Sequence, residues 1–265
     1  MPHISIITVT LNAVDFIDHT IQSVLTQTYP SLEYIIIDGG SQDGTIDVIK
    51  NYESRLAYWH SRKDRGQSHA FNMGLAQARG DWIIFLNADD YLLNTAALEK
   101  MAPHLWAHHA ADVVFGQVAL LPRTGKLISG ETPVIHGSPW CWYKFKYVCN
   151  IPHQAAFTSR QYFDRVGVFQ EELCFSMDYE HYLRAGRNLH TVFVPQVVTA
   201  MREGGKSLSN IIPSLREWRN AQLRHKVASP LLLWSNFLAR IFWFICRQRV
   251  NKLKGSSGTL YKEIT

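Results

Sequence analysis

Four short apolar runs, each ending abruptly in polar or glycine-rich sequence, set the rhythm of the first third of the chain. Ile4–Val9, Tyr34–Ile37, Leu56–Trp59 and Trp82–Leu86 read as strands. The last of these is apolar at every position, the pattern of a strand buried on both faces in the middle of a parallel sheet. Between the strands the spacing changes to that of helices. Val14–Gln27 places Ile17, Ile21, Val24 and Leu25 on one face, and Tyr29-Pro30 stops it. Ile46 and Ile49 mark a second helix, and Ser68–Ala78 a third. This alternation predicts βαβ units, an α/β class with a mostly parallel, Rossmann-like central sheet flanked by helices. Every strand ends in polar or glycine-rich residues, so four loops gather on one edge of the sheet.

Beyond Tyr91 the pattern loosens. A helix over Ala96–His109, a strand over Val113–Val118, a hairpin turn over Leu121–Lys126, a helix beginning at Asp178 and a strand over Val192–Val198 are expected. From residue 211 the composition shifts again. Ser214–Val227 reads as a helix carrying Arg216, Arg219, Arg224 and Lys226. Leu231–Cys246 is apolar but interrupted by Ser235, Asn236 and Arg240. It is too short for a span, which takes about 20 apolar residues. On a helix Trp234, Phe237, Leu238, Ile241 and Ile245 share one face and Asn236, Arg240 and Arg247 another; Arg247, Arg249, Lys252 and Lys254 cluster at its end. A basic amphipathic helix with Trp and Phe reads as a membrane-surface element. Packing on the domain or in a dimer is the alternative. The expected division is a main domain over 1–210, with halves 1–91 and 92–210, then basic amphipathic helices over 211–254 and a tail over 255–265.

At 265 residues and 46% hydrophobic composition the chain builds one large domain, or a domain with an appendage. A net charge of +5 is compatible with nucleic acid, an anionic membrane or a phosphorylated substrate. The four cysteines form no CxxC pair, which favours reduced thiols in a cytosolic protein. Met1-Pro2-His3 runs straight into a strand, leaving no room there for a signal peptide. No GxGxxG follows the first strand and no GxxxxGK[ST] occurs, which disfavours dinucleotide oxidoreductases and P-loop enzymes.

Two segments carry candidate chemistry. Asn87-Ala88-Asp89-Asp90 puts adjacent carboxylates at the carboxyl end of a buried strand, where open α/β sheets bind ligands. Such a pair needs water, donors or a cation to stay ionised. An Asn/Asp-rich turn with solvated acids is the alternative. Asp178 stands at a helix N-terminus with Tyr182 one turn on; Glu180 points about 200° away. Between them lie the aromatic and basic stretch Pro139–Tyr147, with Trp140 and Trp142, and the segment Ile151-Pro152-His153-Gln154. Rings and cations in this mixture suit sugar faces and phosphates. Nucleic acid would use a similar mixture, but the surroundings give it no support.

Taken in order, ISIITVTLN, then IIIDGGSQDGT, then KDRGQSHAFNMGLAQARGDWIIFLNADD resemble glycosyltransferase family 2, with its GT-A fold. The likeness is strong to Asp90 and continues weakly to about residue 210. It implies that the first half holds a nucleotide-sugar donor, UDP-linked. Thr10 and Asn12 would lie near base and ribose, and Asp38 would read a uracil or thymine N–H. The chain departs from the family here, with Gly39 where many members carry a second acid. Asp64 and Arg65 stand where members contact base or pyrophosphate. Asn87, Ala88, Asp89 and Asp90 resemble the metal-binding D-x-D, with Asn87 in the first acidic slot. Asp89 would be the main ligand of Mn²⁺ or Mg²⁺, and Asp90 a ligand or a holder of a sugar hydroxyl. His153 and Gln154 match an I-x-H-Q segment beside the active site. Asp178 matches the general base, with Met177 where an acid is frequent. Arg202 and Lys206 flank a G-G-x-S loop expected to close over the donor.

The implied activity is inverting, metal-dependent transfer of a sugar to a hydroxyl of a growing glycan. The basic C-terminus suggests a lipid-linked acceptor on an anionic membrane surface. The expected setting is the cytoplasm, peripheral on the inner face of the cell membrane, in bacterial surface-polysaccharide assembly. Rival readings are a nucleotide-sugar-forming nucleotidyltransferase, which would want a Gly-rich basic loop after the first strand, and a non-catalytic carbohydrate-binding scaffold.

Overall fold

The computed structural model describes residues 1–122, 132–202 and 210–254, without the side chains of residues 245 and 247–254. Strands β1 (Ile4–Thr10), β2 (Leu32–Asp38), β3 (Tyr58–Ser61) and β4 (Trp82–Asn87) pair in parallel in the order β3-β2-β1-β4. Helices α1 (Val14–Leu25), α2 (Thr45–Lys50) and α3 (Gln67–Gln77) connect them. Side-chain alternation splits β1 between two cores, as a strand buried on both faces requires. Ile4 and Ile6 join Ile17, Ile21 and Val24 of α1, whereas Ile7 and Val9 join Phe71 and Leu75 of α3. Gly74 lets α3 rest directly on the sheet, because a Cβ there would stand 2.4 Å from Ile7 Cγ2.

The sheet continues through the second half as a mixed one. Its elements are β5 (Tyr91–Leu92), α4 (Ala97–Ala107), β6 (Val113–Leu121), β7 (Val134–His136), α5 (Trp142–Phe145), β8 (Ala156–Ser159), α6 (Arg160–Val166), α7 (Met177–Ala185) and β9 (Thr191–Arg202). Strand β8 runs antiparallel to both β4 and β6; β9 is parallel to β6, and β5 and β7 are antiparallel edges. The nine described strands form one sheet spanning both halves. Strand β3 starts two residues later than expected, because Glu53–Arg55 makes a turn of 3-10 helix that Leu56 closes. Strand β9 runs four residues further than its apolar core, held by pairing to β6 as far as Leu121↔Arg202. Of the expected hairpin turn, residues 123–126 lie outside the described residues.

Helices α8 (Ile211–Arg224) and α9 (Pro230–Lys254) complete the chain. They pack on the main domain: Ala221 and Leu233 enter a third core with Phe145, Tyr179 and Tyr182. The expected faces of α9 are corrected. Arg240 points inward, donating to Tyr147 O at 2.7 Å beside the Trp218 ring, and Asn236 and Phe237 are half-buried on the same side. Leu231, Trp234, Leu238 and Phe242 face out. One N–H of the Arg240 guanidinium meets the carbonyl and its plane lies by the ring, which holds Arg240 in the interface, while Arg219 lies 3.9 Å over the Trp234 ring. Among the described residues no helix is long and apolar enough to cross a membrane.

Candidate active site

The loops at the carboxyl ends of β1 and β2 bind one another, and a third loop follows β4. Asp38, fully buried at the end of β2, accepts hydrogen bonds from Gly40 N (3.0 Å), Ser41 N (2.9 Å), Ser41 Oγ (2.5 Å) and Ser61 Oγ (2.6 Å). Asn12, at φ +50°, accepts from Gln42 N through Oδ1, and its own N–H donates to Ser41 Oγ. Asp43 accepts from Thr45 N and Thr45 Oγ1 on one side and Val14 N on the other, tying the starts of α1 and α2 together. The Thr45 hydroxyl bond, more than any other contact, holds the Asp43 carboxyl below its usual range. Thr10 Oγ1 is buried and finds no partner among the described residues.

These bonds give Asp38 a part in shaping the pocket: Oδ2 serves three donors of its own loop and β3, and Oδ1 serves one. Asp64 lies on the next loop. One oxygen accepts from Gly66 N at 2.8 Å, and the other lies against Gly39, where a Cβ would come within 2.6 Å of it. A side chain at position 39 would have to displace the Asp64 carboxylate. Arg65 is exposed and pairs with Glu171, its Nε 3.1 Å from Oε2.

The loop after β4 separates its two acids. Asp90 is buried and accepts from Asn87 Nδ2 (2.9 Å), Gln154 Nε2 (3.1 Å) and the Arg202 amide (3.4 Å). Burial first, and the Asp89 charge second, push its pKa up to about 7. Burial raises the Asp89 pKa as well, against the lowering by its own backbone N–H and by the Arg202 charge. Arg202 lies beside it, donating to Asp89 O at 3.2 Å with its guanidinium over the Phe16 and Tyr91 rings; its Nε has no partner among the described residues. Ala88 is buried, and Thr20 Oγ1 donates to the carbonyls of Ala88 and Asp90, both at 2.7 Å.

No group of three or more His, Cys, Asp or Glu among the described residues is placed to hold a metal ion alone. One available carboxylate suits a hard divalent ion that takes its other oxygens from phosphates and water. The donor set therefore fits Mn²⁺ or Mg²⁺ held jointly with a diphosphate.

The second half brings Asp178 to this loop. His153 is the hinge of the contact: Nδ1 lies 3.5 Å from Asp178 Oδ2, and Nε2 lies 3.5 Å from Asn87 Nδ2. Asp178 is a quarter exposed, open enough to meet a substrate. Glu180 is excluded as the alternative base. It is fully buried and bonded to Arg184 and His225. Burial alone would raise its pKa, but these two partners outweigh burial and hold it at about 2.

The structure gathers Thr10, Asn12, Asp38, Asp64, Asn87, Asp89, Asp90, His153, Gln154, Asp178 and Arg202 around one edge of the sheet. Lys206 lies outside the described residues. Trp140 and Trp142 are corrected as open acceptor platforms: both pack against the third core. Tyr143 is the exposed ring of that segment, within 6 Å of the Lys146 and Arg187 cations. Sequence reasoning missed Thr20, which holds two loop carbonyls from mid-helix, and Gln67, whose Nε2 braces Asn87 Oδ1 at 3.0 Å. Neither carries a local signal, since both act across more than 15 residues of chain.

The family profile described as "Glycosyl transferase family 2" matches residues 5–165. A glycosyltransferase of Mycobacterium bovis, named for PGL/p-HBAD biosynthesis, is 31% identical over 216 residues, which cover 80% of each chain. Among solved structures, S. aureus TarS in complex with UDP-GlcNAc superposes with a TM-score of 0.62 at 19% identity, over 83% of this chain and 66% of that one. A Pyrobaculum calidifontis mannosyltransferase, in complex with GDP-Man and Mn²⁺, superposes with a TM-score of 0.65 at 18% identity, over 98% of this chain and 76% of that one.

Proposed function

This chain belongs to glycosyltransferase family 2 and is an enzyme of GT-A fold, and from that premise we propose that it transfers a sugar from a UDP-linked donor to a glycan hydroxyl with inversion. The observation that carries the reading is the junction of Asn87, His153 and Asp178, which joins the diphosphate loop to a partly exposed carboxylate.

The pocket formed by Thr10, Asn12 and Asp64 receives the nucleoside, with Asp64 accepting from the base. Arg202 faces the diphosphate, and its unpartnered Nε is available to a phosphate oxygen. Asp89 holds Mn²⁺ or Mg²⁺ together with the diphosphate, and such an ion supplies charge neutralisation to the leaving group. Asp90, kept in place by Asn87 and Gln154, holds a donor hydroxyl. Asp178 removes the proton of the acceptor hydroxyl as that oxygen attacks the anomeric carbon. A single displacement with the base opposite the leaving diphosphate inverts the anomeric centre.

The outward stripe of α9, above a basic end, supports a lipid-linked acceptor met at an anionic membrane surface. On this reading the enzyme works on the cytoplasmic face of a bacterial membrane. A ligand bound only by the folded state raises its melting temperature. UDP with Mn²⁺ is expected to shift the melting temperature upward, and Asp89→Ala to abolish the metal-dependent part of that shift. An equal shift without metal, or with the variant, removes Asp89 from the donor site.

A further inference from the structure

The catalytic helix has no cap of its own. Ser176 precedes α7, and its side chain makes no capping bond to the helix. The turn before α7 is held by Glu217 of α8. Its Oε1 accepts from Cys174 N at 2.8 Å, and its Oε2 accepts from Phe175 N at 2.8 Å and Ser176 N at 3.2 Å, with Ser176 Oγ at 3.3 Å. Three consecutive backbone donors thus converge on one carboxylate more than 40 residues downstream. Charge-assisted bonds of this kind are the stronger class.

The same helix holds α7 just past Asp178. The Trp218 ring lies 4.4 Å from that of Tyr179, Gln222 Nε2 reaches Tyr179 Oη at 3.3 Å, and His225, just past α8, reaches Glu180 at 2.7 Å. Residues 174–176 and 179–180 are therefore fixed to α8 and its end, and Asp178 between them turns to His153.

We propose that Glu217 is a positioning residue for Asp178: by gathering the amides of 174–176 it sets where α7 begins and hence where the base stands relative to the reacting hydroxyl. The C-terminal helices thereby become part of the catalytic apparatus. This rests on reading Asp178 as the base. A misplacement of about 1 Å at a reacting group costs about a hundredfold in rate.

The test uses the full chain with Mn²⁺ and the UDP-sugar, chosen from a panel, that gives the fastest release of UDP. Glu217→Gln keeps the shape and leaves one acceptor oxygen for three amides. Its kcat is expected to fall about 10- to 100-fold with the donor KM changed less than about twofold. Hydrogen exchange at amides 174–178 should quicken, and Glu217→Asp should recover part of the rate. Glu217→Gln combined with Asp178→Asn should be no slower than Asp178→Asn alone, because the first acts through the second.

Wild-type kcat in Glu217→Gln, or a full further loss in the double variant, overturns the proposal. So does failure of both Glu217 variants to fold at room temperature, which would make this a stability residue. Wild-type turnover in Asp178→Asn alone is a different failure, that of the base assignment itself.

Discussion

The donor-side loops and the base-side helix are held in opposite ways. On the donor side Asp38, Asn12 and Asp43 spend their polar atoms on neighbours within the same loop or the adjoining one, over 2 to 30 residues of chain. On the base side the turn before Asp178 is held from further along the chain, by Glu217, 41 to 43 residues away. The first arrangement forms its cavity from local sequence and stands ready for a ligand. The second has its leading turn bonded to a C-terminal helix. Local bonding gives pre-organisation, and distant bonding makes the base answerable to another part of the molecule.

The largest test of this contrast is Asp178→Asn. Turnover should fall about a thousandfold, within the range for losing a general base, while the UDP-dependent thermal shift stays as in the wild type. A parallel loss of UDP binding would mean that the two sides are one unit. Asp38→Ala attacks the other side. Four donors lose their acceptor, and at about 1 kcal/mol each the variant should be about 4 kcal/mol less stable in urea unfolding. Its residual kcat at saturating donor should remain near that of the wild type if Asp38 only shapes the pocket.

Acid should separate the regions next. Burial lowers the pKa of His181 on α7 to about 4, so the folded state keeps it neutral. Between about pH 6.5 and 4 the unfolded chain binds the proton and the folded chain does not, so stability rises with pH and is lost as pH falls through this window, by about 3 kcal/mol. Glu180, held at about 2, contributes stability that is present above about pH 4.5 and lost below it. Unfolding followed by hydrogen exchange at pH 7, 5.5 and 4.5 should show α7 loosening before β1 and β2; simultaneous loss would erase the distinction. The smallest expected effect lies furthest out. Leu238→Asp should weaken binding to anionic vesicles about tenfold, the worth of one apolar side chain in the interface, with turnover of a soluble acceptor unchanged.

The same contrast decided what could be read in advance. Ile4–Thr10 and Trp82–Asn87 announce themselves by unbroken apolar runs, and the loops after them by turn chemistry, so the donor side was largely legible. The helix start around Asp178 was legible in the sequence, while its part as a base is implied by the family resemblance. The satisfaction of Asp38 was not, because a carboxylate that reads a base and one that binds its own loop have the same sequence. Nor were the outward face of α9 or the inward Trp140 and Trp142, since helical spacing gives the faces of an element and not which of them meets a neighbour. Arg240 shows the cause: a cation expected to seek water finds Tyr147 O and the Trp218 ring.

The contact between Gly39 and Asp64 makes the two positions an epistatic pair. The space in front of Gly39 is already filled by an oxygen from the next loop, which is itself anchored through Gly66. A chain that gains an acid at 39 while keeping the one at 64 crowds two charges into the volume of one, and a chain that loses the acid at 64 alone empties that volume. Gly39→Asp should therefore cost more stability in the wild type than in an Asp64→Ala background, which a double-mutant cycle in urea unfolding would read.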